Sequence, residues 1–126
     1  MMDILLFSLH LIVAFGLLNV WLIRAKKSTP YRGGTAHSMR EEFAVYGLPP
    51  IFMYLIGTLK VLIAISLLLG LWFPSFTMPA ALTLIFLMLG AFSMHLKVKD
   101  PFVKALPSLL MLAMAIGIVA LTHFTQ

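Results

Sequence analysis

Lys60 is the residue whose type and position most clearly suggest chemistry, because it lies near the middle of the apolar run Ile51–Phe73. That run is 23 residues long, and about 20 residues of helix cross the hydrocarbon core of a bilayer. A lysine at the centre of such a helix costs roughly 2.5–3.5 kcal/mol to insert. Because side chains lean toward the N-terminal end of their helix, Lys60 needs polar partners in that half of the membrane.

Several other polar side chains fall in the same half of the apolar runs as Lys60. The residues that we expect to line a cavity with it are Asn19, Tyr54, Thr58, Ser93 and His95. No carboxylate lies within an apolar run, so the possible ion-pair partners are Glu41, Glu42 and Asp100 in the links. An ionisable residue inside the membrane is by default a hypothesis of a functional site. We therefore predict a cavity that binds a quinone-like ring or a polar lipid headgroup.

Other interpretations of Lys60 stay open. The side chain could extend into a water-filled depression and pair with a carbonyl or a link glutamate, which would make it a packing residue only. A nucleophilic lysine is the least favoured interpretation, since nothing else in the sequence builds such a site, and no catalytic residue is assigned. His95 could equally be an interfacial histidine that bonds a backbone group.

Composition excludes several classes of site. The chain has no cysteine, which rules out disulfides and thiolate ligands. Its four histidines lack ligand spacing, so no metal site is expected. No haem, flavin or iron–sulfur pattern is present, so no covalently bound cofactor is expected either. The net charge of +5 does not indicate nucleic-acid binding, because the basic residues lie in the links between apolar runs.

Four apolar runs must position the polar residues. The chain is 62% hydrophobic and 10% charged, whereas soluble domains are about 25% charged. The runs predict membrane-spanning helices over residues 4–23, 51–73, 79–96 and 102–124. Short links make consecutive helices antiparallel neighbours. The predicted fold class is all-α, with residues 1–126 forming a single antiparallel bundle of four transmembrane helices.

The links carry local signals of their own. Ser38 and Glu41 form a capping box that predicts a short interfacial helix between the first two spans, and Gly47 suits its end. One face of this helix collects Met39, Phe43 and Tyr46. In the last link, Asp100 is predicted to cap the fourth span, with Pro101 at its first position.

The distribution of lysine and arginine predicts the orientation of the bundle. Apart from Lys60, every basic residue lies within 24–40 or 97–104. The positive-inside rule then places the links 24–50 and 97–101 in the cytoplasm and both termini outside. We expect a multi-pass protein of the cell inner (plasma) membrane.

Several short segments resemble the DoxX-like family of small membrane proteins, over roughly residues 10–120. The resemblance rests on Gly47-Leu48-Pro49, Gly57 with Lys60, Gly70-Leu71, Gly90-Ala91, His95 and Asp100-Pro101. Many family members carry glutamate at the position of Lys60, whereas one branch carries lysine. The glycine that often precedes the aspartate is Lys99 here. The resemblance implies a four-helix membrane bundle. Some relatives are subunits of quinone-linked oxidoreductases, and a vertebrate relative acts as a chaperone for receptor assembly.

The resemblance to the DoxX-like family and the polar residues around Lys60 together predict an accessory or ligand-binding component of a membrane redox system, with a quinone or a lipid as its ligand. No catalytic activity of its own is expected; within an enzyme the chain would be an oxidoreductase subunit. Its expected partners are the lipid bilayer and a larger membrane or redox protein, or further copies of itself. The alternative is a non-enzymatic assembly factor or chaperone-type protein that binds a larger membrane partner. A transporter is least favoured, because no inverted repeat is visible.

Overall fold

The computed structural model describes residues 3–26 and 31–125, so residues 27–30 of the first predicted link, and residues 1, 2 and 126, lie outside the described residues. The α-helices are α1 (Ile4–Leu18), α2 (Met39–Val45), α3 (Pro50–Leu69), α4 (Thr77–Lys97) and α5 (Phe102–Thr125). A π-helical turn, Asn19–Ile23, continues α1, and a 3-10 turn, Pro74–Phe76, precedes α4. Within the described ranges there is no strand, which confirms the all-α fold class.

Four helices are long and apolar enough to cross a membrane, over Ile4–Ile23, Pro50–Leu69, Pro74–Lys97 and Phe102–Phe124. In the bundle, α1 packs against α3 and α5, and α4 packs against the same two helices. Each spanning helix contributes a fully buried alanine to the shared core: Ala14, Ala64, Ala81 and Ala115. Small residues at such positions let helix backbones approach closely, which is the usual basis of packing between helices in lipid.

Two predicted span boundaries shift in the structure. α3 ends at Leu69 rather than at Phe73, because the chain turns at Gly70. α4 begins at Thr77, two residues before the predicted start at Pro79. Proline is tolerated in the first turn of a helix, where the backbone N–H that it lacks would have no intrahelical acceptor.

The end of α1 departs from regular helix in a way that the sequence did not predict. The backbone N–H of Arg24 donates to the Asn19 carbonyl over 2.9 Å, which closes a π-helical turn. Such turns insert one extra residue into a helix and often occur at functional sites. This turn contains Trp21, whose contacts with other helices are described with the functional site below.

The predicted interfacial helix forms as α2. Its N-cap is Ser38, whose hydroxyl oxygen accepts from the Glu41 backbone N–H over 3.2 Å. The predicted apolar face is confirmed, since Met39, Phe43 and Tyr46 are all buried. α2 packs against α3, and Lys97 at the end of α4 donates to the Tyr46 carbonyl over 2.8 Å. The helix therefore lies beneath the bundle.

The prediction that Asp100 caps the last helix is wrong. One carboxylate oxygen of Asp100 accepts from the Gly34 backbone N–H over 2.9 Å, and the other contacts His95 Nδ1 at 2.8 Å. Both oxygens therefore bind groups outside α5, which begins at Phe102, one residue after Pro101. The Asp100 carboxylate therefore binds the first link and α4 instead of the start of α5.

Lys99 adopts a left-handed backbone conformation, with φ of 57°. Its N–H bonds the Leu96 carbonyl and the Asp100 N–H bonds the His95 carbonyl, at 3.1 and 3.0 Å. This pair of bonds is a Schellman motif, in which glycine is the preferred residue at the position of Lys99. Gly47, with φ of 81°, occupies the same position after α2.

We expect Lys99→Gly to raise the free energy of unfolding by about 1 kcal/mol, because glycine removes the steric cost of the left-handed conformation. Titration with SDS in mixed micelles, followed by circular dichroism, measures this change. Lys99→Gln controls for the lost charge, and Gly47→Ala should lower stability by a similar amount. Equal stability of the glycine and glutamine variants would contradict the conformational explanation.

Candidate functional site

A cavity of ≈ 750 Å³ opens at one end of the bundle. We call this end, which carries residues 24–26, 31–49 and 98–101, the basic end, and the opening the central cavity. Apolar walls come from all four spanning helices, including Leu17, Phe52, Ile56, Phe86, Met88 and Met111. The polar lining includes Asn19, Trp21, Arg24, Arg32, Glu42, Tyr46, Lys60 and His95. A mostly apolar cavity of this size with a few converging polar groups is typical of a small-molecule site.

The structure brings part of the predicted set together. Asn19, Lys60 and His95 all line the central cavity, and so does Glu42, one of the three predicted ion-pair partners. These residues come from the π-helical turn, α3, α4 and α2. These four polar residues are therefore brought together from four separate segments of the chain.

The other predicted residues lie elsewhere. Tyr54 and Thr58 line a second depression, on the other side of Trp21. Ser93 is exposed and lines neither opening; its hydroxyl donates to the Leu89 carbonyl, 2.8 Å away and one turn back. Glu41 is exposed at the start of α2. The polar residues that we predicted to line one cavity are therefore divided between two openings, and Ser93 lines neither.

Trp21 separates the two openings, since its side chain lines both. A Cβ atom on Gly57 would lie 2.6 Å from Trp21 Cε3, so only glycine permits this close approach of α3 to the indole. Trp21 also contacts α2, where Phe43 meets the indole edge-to-face at 6.2 Å between ring centroids. The indole is therefore held between α2 and α3.

Lys60 contacts an aromatic ring rather than a carboxylate. Its Nζ atom lies 5.3 Å from the centroid of the Trp21 ring, within the range of a cation–π interaction. Of the acids proposed as partners, Glu42 lines the same cavity as Lys60. Within the described part of the chain, Lys60 forms no ion pair. Its ammonium group thus retains the capacity to donate hydrogen bonds into the central cavity.

A chain of five polar side chains, which we call the polar chain, runs beneath the central cavity: Arg32, Glu42, Tyr46, His95 and Asp100. Arg32 donates to Glu42 over 3.2 Å, and the Tyr46 hydroxyl donates to the same carboxylate over 2.7 Å. The Tyr46 oxygen lies 3.5 Å from His95 Nε2, and His95 Nδ1 lies 2.8 Å from Asp100. The polar chain therefore joins the first link, α2, α4 and the last link.

The positions of the protons in the polar chain follow from the hydrogen-bond partners of each group. Because Asp100 can only accept when ionised, His95 Nδ1 carries a proton and donates to it. Burial raises the pKa of the Tyr46 hydroxyl, and the neighbouring Glu42 carboxylate raises it further, so this group stays protonated as a donor. Its only proton faces Glu42, so His95 Nε2 can donate to the Tyr46 oxygen when the imidazole carries two protons.

Two residues of the polar chain were missed as site residues, Arg32 and Tyr46. Arg32 was treated as a residue that sets topology, yet it is 5% exposed and also donates to the Arg24 carbonyl over 2.8 Å. Glu42 was predicted as an ion-pair partner in a link but not as a buried residue, although it lies on the buried face of α2, three residues after Met39 and four before Tyr46. That spacing is the signal that could have predicted its burial.

The two glycines of the first link shape the site. A Cβ atom on Gly33 would lie 2.6 Å from the Tyr46 ring, and Gly34 has a positive φ of 55°. The Gly33 N–H donates to Glu42 over 3.0 Å, while Lys104 of α5 donates to the Gly34 carbonyl. The link thereby supplies backbone donors to both carboxylates of the polar chain.

His10 forms a second buried polar pair, toward the opposite end of the bundle. Its Nδ1 atom lies 2.8 Å from the Leu6 carbonyl, and its Nε2 atom lies 2.9 Å from the Thr77 hydroxyl. A carbonyl only accepts, so Nδ1 carries the proton and the Thr77 hydroxyl donates to Nε2. This pair joins α1 to the start of α4. In residues 3–26 and 31–125 no group of three or more metal-ligating side chains occurs.

Comparison with models of known protein families shows the family to which this chain belongs. The model of the DoxX-like family matches residues 32–118. This chain belongs to the DoxX-like family. The matched region contains Lys60 and all five residues of the polar chain, whereas Trp21 lies before it. No curated protein and no solved structure matches this DoxX-like chain.

Proposed function

We propose that this DoxX-like membrane protein binds a quinone ring or a lipid headgroup in the central cavity, as an accessory component of a membrane redox system. The observation that carries the proposal is the position of Lys60, whose ammonium group lies beside Trp21 at the polar end of an otherwise apolar cavity. A quinone has a matching shape, with an apolar ring and two carbonyl oxygens that accept hydrogen bonds.

The surroundings of Lys60 support a ligand that accepts hydrogen bonds. Asn19 lines the same cavity, so a side-chain amide joins the Lys60 ammonium there as a donor, whereas the Tyr46 and His95 protons point to Glu42 and Asp100. The cation–π contact with Trp21 stabilises Lys60 by roughly 0.5–2 kcal/mol, which is small enough for a ligand to replace it. A lipid headgroup offers the same kind of acceptor, so the experiment must distinguish the two sources.

The test is Lys60→Met, which keeps the length and apolar character of the side chain and removes its charge. In a Trp72→Phe background, quenching of Trp21 fluorescence by a decyl-substituted benzoquinone reports binding near the cavity. We expect the half-quenching concentration to rise about tenfold or more, because hydrogen bonds to charged groups are worth roughly 1.5–3 kcal/mol. Lys99→Met, which removes an exposed charge outside the cavity, should leave it unchanged.

The outcomes separate the candidates. Unchanged quinone quenching in a folded Lys60→Met protein would contradict the proposal for quinone. If a phospholipid rather than the quinone binds in a manner that depends on Lys60, the ligand is a lipid headgroup. If neither binds and a larger membrane protein co-purifies in fixed ratio, the assembly-factor alternative is supported instead.

A further inference from the structure

The depression on the other side of Trp21 has features of a binding site in its own right. It has a volume of ≈ 720 Å³ and lies between the end of α1, the start of α2 and the face of α3. We call it the lateral groove and define it by Leu22, Lys26, Arg40, Tyr54, Gly57 and Leu62. Neither Lys60 nor any residue of the polar chain lines it, whereas Trp21 borders both openings.

One end of the lateral groove is cationic. Lys26 and Arg40 are both exposed there, and the Ser38 hydroxyl lies between them in sequence and lines the same opening. Arg40 is oriented by the Tyr54 hydroxyl, which accepts from its guanidinium over 3.2 Å. Among the described residues, none that lines the groove is acidic. The nearest carboxylate in sequence, Glu41, accepts from the Ser38 hydroxyl over 3.2 Å.

The remainder of the groove is apolar and follows the membrane-spanning part of α3. Leu22 is 67% exposed and Leu62 is 53% exposed, so both present apolar surface outward. Between them, Gly57 is covered by the Trp21 ring, which also lines the groove. From Tyr54 to Leu62 the helix rises about 12 Å, which is enough to cover a substantial part of one acyl chain.

We propose that the lateral groove binds an anionic phospholipid, with the headgroup phosphate at Lys26 and Arg40 and an acyl chain along Leu22 and Leu62. Charge complementarity supports an anionic headgroup, since two cations and no acid line that end. The continuous apolar surface supports a phospholipid rather than a free phosphate ion, which would leave most of the groove uncovered. Basic residues next to membrane spans commonly attract anionic lipid in this way.

Trp21 provides a direct probe, because its side chain lines the groove. The chain has two tryptophans, and the other, Trp72, is 73% exposed and can be replaced with phenylalanine. The Trp72→Phe protein is placed in phosphatidylcholine vesicles that contain a small fraction of brominated phosphatidylglycerol, or of phosphatidylcholine with the same brominated chains. We expect the relative binding constant, obtained from quenching of Trp21, to be about fivefold or more in favour of phosphatidylglycerol.

Arg40→Gln should bring this preference close to one, whereas Lys99→Gln removes an equal charge outside the groove and should leave it unchanged. Lys26→Gln provides a second variant should the first fail to fold, as judged by circular dichroism. Equal quenching by both lipids in the parent protein overturns the proposal. A preference that is lost in Lys60→Met but kept in Arg40→Gln also overturns it, since the lipid would then occupy the central cavity.

Discussion

Replacing Glu42 with leucine is expected to lower the free energy of unfolding by roughly 3–5 kcal/mol, the usual cost of leaving one charge of a buried ion pair without its partner. Glu42 and Arg32 are 8% and 5% exposed, and their closest atoms are 3.2 Å apart. The Glu42 carboxylate also accepts from the Gly33 N–H and the Tyr46 hydroxyl. The substitution therefore removes the carboxylate that compensates the charge of a buried guanidinium, which keeps its bond to the Arg24 carbonyl, and it removes two further hydrogen bonds.

The matched control is Glu41→Leu, which changes the adjacent, exposed carboxylate of the same helix. Its expected cost is below about 1 kcal/mol, since only the contact with the Ser38 cap is lost. Adding Arg32→Met to Glu42→Leu should recover most of the loss, because the uncompensated charge disappears. SDS titration in mixed micelles measures all four proteins. Equal destabilisation by the two single glutamate variants would show that the buried pair does not stabilise the fold.

Gly70→Ala is expected to lower the free energy of unfolding by roughly 2–4 kcal/mol. A Cβ atom at this position would lie 2.2 Å from the Thr77 hydroxyl oxygen and 3.2 Å from the Leu67 carbonyl oxygen. Thr77 is only 1% exposed, so its hydroxyl cannot move into open space. Its displacement would also break the bond to His10 and leave a buried imidazole nitrogen without its donor.

Gly90→Ala is the control for Gly70→Ala, because nothing lies within 4 Å of a Cβ atom at Gly90. Gly90 lies within α4, so alanine should be neutral there or stabilise the helix by up to about 1 kcal/mol. Thermal and SDS unfolding of both variants tests the prediction. A Gly70→Ala protein as stable as the Gly90→Ala protein would mean that the His10–Thr77 pair is not tightly packed.

Most of the secondary structure of this bundle could be predicted from sequence because it depends on local requirements. A chain in lipid must satisfy its backbone hydrogen bonds internally, so long apolar runs form helices. The start of α2 was predictable for a similar reason, since Ser38 and Glu41 bond within one turn. Predictions that depended on a choice among distant partners were less secure. Asp100 could cap α5 or bind elsewhere; His95 is only five residues away, but the bond to Gly34 spans 66 residues and no local pattern indicates it.

The amino-acid sequence by itself determined the four spans, the short helix beneath them, the unusual position of Lys60 and the family to which the chain belongs. Only the tertiary structure decided what surrounds Lys60. The π-helical turn of α1 and the absence of a side chain at Gly57 place Trp21 against α3, and this ring divides the polar residues between the central cavity and the lateral groove. Likewise, the tertiary structure decided which cation pairs with the buried Glu42, since Arg32 reaches it from the first link. Both outcomes depend on contacts between segments far apart in the chain, whose spacing and direction no local pattern contains.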